Sequence, residues 1–407
     1  MRRVPVLSQL SDLRIATKLA LVVIALSVPI FALLAVQYQQ RQDAQSQASA
    51  ESDGLDYVGS IIPFLREVQL HRGFVHRVLN GDAAAAEQLD ASEGAADAAL
   101  ASINQMNDRH GDKFGTHDLV AYINSEWNLI KSGQTSFDDL NAAHSRLIDQ
   151  GVFPLLEQVS TESQLVLDPS LDTRSVITAL TVSLPRMTEA LSLTRNWGAA
   201  SMLSRDEQEA SPAQKTILTQ QLSIASVHAE ALNDELAVAM AENPEFAAAL
   251  GPILDSANDA RDTFTRRTQN GVVASTALSA DAAEEYFLLG GSAIDLSNQL
   301  LVAARETLNA EFDDRASQAT SEFMLYGSAA LGGVLLALAL SLFIAVTITR
   351  PLNHLAEVAD RMSLGDLDVD IDVESKNEIG QLAESLRRMQ ASLRSAIERL
   401  RQRRAAA

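Results

Sequence analysis

Two uncharged apolar runs constrain this chain more than anything else in it. From Leu19 to Val36 it reads LALVVIALSVPIFALLAV, and from Met324 to Ile348 it reads MLYGSAALGGVLLALALSLFIAVTI, with no charged residue in either. As a helix the shorter run extends about 27 Å, close to the hydrocarbon thickness of a bilayer. Pro29 in the first and Gly332-Gly333 in the second would be costly in a soluble helix and are tolerated in lipid. Arg2, Arg3, Arg14 and Lys18 ahead of the first run would also suit a cleaved signal peptide. A lead of 18 residues is long for one, however, and no small-x-small site follows closely, so an uncleaved anchor is expected.

Charge then orients the spans. Residues 1–18 carry a net charge of +3, residues 37–323 carry −24, and residues 349–407 are neutral with Arg350 directly at the membrane. Lys and Arg on short flanks stay cytoplasmic, whereas a long acidic domain can be translocated. The expected organisation is therefore a cytoplasmic N-tail (1–18), a first span (19–36), an outer domain (37–323), a second span (324–348), a cytoplasmic domain (349–401) and a C-terminal tail (402–407). In a bacterium this is a multi-pass inner-membrane protein with both termini inside and a periplasmic domain of 287 residues. Membrane lipid is a required partner. The overall charge of −21 argues against nucleic acid, whose phosphates need a basic surface.

The chain is expected to be all-α. Aromatics are only 5 % of it and Ala, Leu, Gln and Glu abound, a composition that favours helix over sheet. In the outer domain helical periodicity breaks at Gly81-Asp82, His110 to Thr116, Ser132-Gly133, Asp168-Pro169, Ser211-Pro212, Asn243-Pro244 and near Ser279. Ser211-Pro212-Ala213-Gln214 has the hydroxyl, Pro and Gln of a capping box, and Ser136-Phe137-Asp138-Asp139 has a similar spacing. The pieces between breaks, about 16 to 45 residues, are long for helices in globular proteins and are expected to pack as antiparallel bundles.

Two outer segments place an arginine just before a glycine on a long apolar helix: Leu70-His71-Arg72-Gly73 and Thr194-Arg195-Asn196-Trp197-Gly198. Glycine lets another backbone approach, and an arginine beside it can aim a planar donor fork into the gap. Two such sites can clamp a small oxyanion. The alternative is that Gly73 and Gly198 are close-packing points, with the arginines paired to acids such as Glu67 and Glu189. The region resembles the all-helical sensor domains of bacterial transmembrane receptors, of the nitrate/nitrite-sensing or helical bimodular type. That resemblance implies ligand contact by Arg72 and Arg195, in a site shaped by Gly73 and Gly198.

After the second span, Leu352, Leu355, Val358 and Met362 form a short stripe. Gly365-Asp366-Leu367-Asp368-Val369-Asp370-Ile371-Asp372-Val373 then alternates with a period of two, so it is expected to be extended. From Glu378 onward, Ile379, Leu382, Leu386, Met389, Leu393, Ala396 and Leu400 are spaced 3 and 4 apart in turn, a heptad seam that needs a partner helix. A homodimer forming a parallel four-helix bundle is expected. The segment resembles the HAMP domain found in methyl-accepting chemotaxis proteins and other sensors. Pro351, Gly365, Leu367, Glu378, Ile379 and Gly380 match the family pattern, and Asn377 stands where the family usually has Asp. The resemblance implies a bistable relay through Leu382, Leu386, Met389 and Leu393.

The chain has no cysteine, no phosphate-binding glycine loop, no HExxH and no nucleophile elbow. Histidines 71, 76, 110, 117, 144, 228 and 354 are scattered along it, and packing or surface roles are expected for them. No cofactor, metal site or catalytic residue is expected, nor an enzyme; turnover by the outer domain would revive that reading. The function expected is a receptor that senses a periplasmic small ligand, an anion for preference. It would signal through HAMP to a cytoplasmic partner or a missing C-terminal output domain of chemotaxis type. The alternative is a membrane-anchored adaptor that binds a periplasmic protein and no small ligand.

Overall fold

The structure, a computed structural model, describes residues 15–133, 137–204 and 209–405. Ser136 of the second expected cap, and Arg2, Arg3 and Arg14, lie outside the described residues. The described residues are almost entirely helical and contain no strand. The helices are α1 (Ile15–Leu79), α2 (Ala86–Phe114), α3 (His117–Lys131), α4 (Phe137–Leu147), α5 (Phe153–Glu162), α6 (Leu171–Thr178), α7 (Leu184–Leu203), α8 (Pro212–Glu242), α9 (Pro244–Thr268), α10 (Ala283–Ile344), α11 (Arg350–Ser363) and α12 (Glu378–Ala405). Two of them, α1 and α10, are long and apolar enough to cross a membrane.

The chain divides into two compact units. One comprises residues 43–318 and the other residues 1–42 with 319–407.

In the unit of residues 43–318 the helices break at each expected position, with physical causes. Ser211 Oγ accepts from Gln214 N–H (3.3 Å) while Gln214 Oε1 accepts from Ser211 N–H (2.8 Å), a reciprocal capping box with Pro212 at the first helical position. Asn243 caps α9 through Glu245 N–H (2.9 Å). Gly115, at φ +63°, closes α2 in the left-handed conformation that glycine adopts without strain.

Several pieces are shorter than the expected 16 to 45 residues. The causes are that the break at Asp168-Pro169 begins earlier, at Ser163, with Gln164 at φ +67°, and that π-helical turns occur at Ile148–Val152, Ala179–Ser183 and Gln269–Val273. A π-turn adds one residue to a helical turn while the helix runs on through it, so no capping residue marks it in the sequence. Helix α7 packs against α8, as α6 and α9 do, and α2 packs against α3. Almost every residue of α7 is buried, including the polar Thr188, Ser192, Thr194, Arg195 and Asn196. The same helix also buries Glu189 and Ser201.

In the second unit the side chains of the apolar runs face outward, Phe31 and Leu335 for example being exposed, as lipid contact requires. Tyr38 and Phe323 approach with ring centroids 6.1 Å apart, and the Arg41 guanidinium lies 5.0 Å from the Phe323 ring. A π-turn, Ala345–Thr349, leads into α11. Leu355, Val358 and Met362 of α11, Val369, Ile371 and Val373 of the connector, and Ile379 and Ala383 of α12 form one small core.

Candidate functional site

The core of the larger unit holds two guanidinium groups. Arg72 on α1 is fully buried and forms a bidentate pair with Glu189 on α7, Nη1 to Oε1 at 2.7 Å and Nη2 to Oε2 at 2.8 Å. Its Nη2 also donates to Ser192 Oγ (3.3 Å), and Gln69 Nε2 donates to Glu189 Oε2 (3.1 Å). Two parallel N–H···O bonds satisfy the carboxylate in a geometry that a lysine could not reproduce.

Arg195, one and a half turns along α7 from Glu189, is treated differently. It is 1 % exposed, and among the described residues it makes no ion pair. Its Nη2 donates to the Gln69 carbonyl (3.0 Å) and its Nε to Asn196 Oδ1 (3.2 Å), while the guanidinium stacks 4.4 Å from the centroid of Phe287 on α10. Burial, reinforced by the neighbouring Arg72 cation, pulls its pKa down to about 9. Asp295 acts in the opposite sense, but it accepts two bonds from Arg66 at the surface (3.0 and 3.1 Å). Arg72 is thus matched by Glu189, and Arg66 is shared by Asp295 and Glu67, which leaves Arg195 as a dry cation with no carboxylate in bonding contact. Two nearby donors also lack acceptors, Arg72 Nε and Asn196 Nδ2.

The glycines set the spacing. A Cβ on Gly73 would lie 2.6 Å from Asn196 Oδ1 and 2.9 Å from Phe287, and one on Gly198 would collide with the Tyr286 ring. The Tyr286 hydroxyl donates to the Thr194 carbonyl (3.2 Å) and lies 2.9 Å from Thr268 Oγ1. Gly290 on α10 clears the stem of Arg195, since a Cβ there would sit 2.9 Å from its Cγ. The four residues singled out in the sequence therefore surround one locus. The pairing of an arginine with Glu189, expected under the close-packing alternative, is present at Arg72, whereas Glu67 pairs with Arg66; Phe287, Tyr286 and Gly290 were passed over in the sequence. The Gly290-Gly291 pair, set between Tyr286-Phe287-Leu288-Leu289 and Ala293-Ile294 inside a long helix, was the available signal.

Three histidines that look scattered in the sequence gather beside this locus. His144 Nδ1 lies 2.7 Å from the Leu140 carbonyl, so it carries the proton. His144 Nε2 then accepts from His71 Nδ1 (2.9 Å). His76 pairs with Asn141 Oδ1 (3.2 Å) and meets Trp197 edge-on. Burial holds His71 and His76 down to about 4 and His144 well below the usual imidazole value.

In the second unit the extended connector has no strand beside it, so its carbonyls need other donors. Arg387 Nη2 donates to the carbonyls of Ile371 and Val373 (both 2.9 Å), Gln390 Nε2 to those of Leu367 (3.0 Å) and Val369 (2.7 Å), and Arg394 Nη2 to that of Leu367 (3.1 Å). These three residues, on one face of α12, were not anticipated. Asn377 Oδ1 accepts from Ile379 N–H (3.1 Å) and Gly380 N–H (3.4 Å) and from Ser375 Oγ. The amide therefore caps α12 as the family's Asp would, without its charge. Gly365 takes φ +95°, and Gly380 abuts the Ser375 carbonyl too closely to admit a Cβ. Leu382, Met389 and Leu393 are 45 %, 46 % and 40 % exposed, with Leu386 half-buried.

Two helices joined by a pinned extended connector, directly after a span, point to one family. Residues 343–395 match the HAMP domain. The match begins six residues before the expected start at 349 and ends six before 401. The chain is 47 % identical over 62 residues to a sensory transducer protein of Acetivibrio thermocellus, covering 15 % of this chain and 11 % of that protein. It is 45 % identical over 78 residues to the methyl-accepting chemotaxis protein TlpB of Bacillus subtilis, covering 19 % of this chain and 11 % of that one. It thus matches only about a ninth of each relative's length. The fold is similar to that of the NasR transcription antiterminator, with a TM-score of 0.54 and 13 % identity over 89 % of this chain and 95 % of that one.

Proposed function

We propose that this chain is a transmembrane signal-transducing receptor. Its 37–323 region senses a small periplasmic anion, and its HAMP segment, as a homodimer, passes the signal to a cytoplasmic output of chemotaxis type. The protein would sit in the bacterial inner membrane with both termini cytoplasmic. The HAMP match and the two transducer relatives support the receptor reading.

One observation carries the ligand class: Arg195 is a fully buried cation with no carboxylate of its own, beside buried donors with no acceptor. An uncompensated charge in a dry core is costly, and a bound anion relieves that cost. A planar oxyanion such as nitrate or nitrite can accept from two or more of these donors at once. Phe287 stacks on the guanidinium, so entry of the anion requires that ring, or Glu189, to move. Both lie on helices packed against α1, which would convert occupancy into helix displacement.

The test is thermal unfolding of the full chain in detergent, titrated with nitrate, nitrite and formate. A saturable rise in melting temperature is expected, and it should disappear in Arg195→Ala. Absence of a shift with all three anions would remove the ligand assignment.

A further inference from the structure

The same locus holds a further residue whose role can be read from its charge. Glu189 engages both terminal nitrogens of Arg72 and takes a third bond from Gln69, so it occupies the face where a ligand carboxylate or nitrate would dock on that arginine. Arg66 is engaged outside this set by both Asp295 and Glu67, and the buried set of Arg72, Arg195 and Glu189 carries a net charge of plus one. We infer that Glu189 is the specificity-determining residue of this site: it sets the ligand at a single negative charge and shuts out divalent oxyanions. The inference rests on the anion-binding reading above.

The physical reason is that a dry site is exacting about charge. A monovalent anion beside Arg195 brings the buried set to neutrality. A divalent one overshoots by a charge and must also face the Glu189 carboxylate at short range, where like charges repel strongly. Nitrate and sulfate also differ in shape, planar against tetrahedral, so the comparison that isolates charge is the change in preference between the wild type and Glu189→Gln. Without the Glu189 charge, the two guanidinium groups form a divalent site. The unpaired Arg72 Nε and Asn196 Nδ2 then serve as extra donors.

The experiment is calorimetric titration of the detergent-solubilised full chain with sodium nitrate and with sodium sulfate, for the wild type, Glu189→Gln and Glu189→Asp. Gln keeps the volume and one acceptor oxygen but loses the charge and the second acceptor; Asp keeps the charge and both acceptors but shortens the reach. The wild type and Glu189→Asp are expected to prefer nitrate, whereas in Glu189→Gln the nitrate-to-sulfate preference should fall by about tenfold or more. If Glu189→Gln keeps the wild-type preference, or Asp loses it along with Gln, Glu189 has a geometric role and the inference fails while the anion site stands. If the wild type binds neither anion, the site reading and the inference fail together. Should Glu189→Gln not fold, a wild type that takes sulfate as well as nitrate is enough to overturn the charge rule.

Discussion

Arg72 and Arg195 are alike in burial and opposite in compensation. Removing Arg72 strands the Glu189 carboxylate in the core, so Arg72→Met should lower stability by about 3–5 kcal/mol. Removing Arg195 takes away a cation that no carboxylate balances. Arg195→Met, which keeps much of the volume against Phe287, should therefore leave the melting temperature unchanged or raise it while abolishing the nitrate response. Denaturant unfolding of both variants checks this, and a large loss of stability in Arg195→Met would show that its bonds to Gln69 and Asn196 outweigh its buried charge. The two arginines stood out in the sequence because each lies within three residues of a glycine on a largely apolar stretch of helix. Their difference was not legible there, since it depends on Glu189 reaching across from α7 to α1.

At the level of elements, α1 and α4 are joined through imidazoles that burial keeps neutral. The folded values near 4 for His71 and His76 lie below the ordinary value of about 6.5, so the unfolded chain binds protons first. Stability is then complete above pH 6.5 and declines as pH falls from there towards 4, by on the order of 3 kcal/mol per imidazole. Unfolding midpoints between pH 7.5 and 4.5 should follow this trend, with a shallower slope in His71→Gln; a flat profile would contradict burial of the neutral rings. His144 shifts in the same direction and adds to the decline. No sequence rule joins His71 to His144, since they lie on different helices and the contact exists only once α4 has packed. The π-turns were equally hidden, whereas the caps at Ser211 and Asn243 were plain because they are local chemistry.

For the whole molecule, the seam of α12 is the unresolved apolar face. Leu382, Met389 and Leu393 stay largely exposed although the connector and α11 cover Ile379 and Ala383, as expected of a helix that finishes its core with a second copy. Cysteines introduced at Leu386 and Leu393, in a chain that has none of its own, should cross-link between copies in membranes. Failure of both to do so would count against the parallel dimer.

The primary structure alone determined the helical class, the two candidate spans, the helix breaks marked by caps, Gly or Pro, and the HAMP pattern. Each of these depends on residues near one another in the chain, through apolar period, caps and uncharged length. Tertiary structure decided which arginine is paired, which glycines make room for Phe287, Tyr286 and the Arg195 stem, and which donors on α12 hold the connector. Those outcomes depend on groups distant in sequence, whose charges and volumes are balanced only when the helices meet.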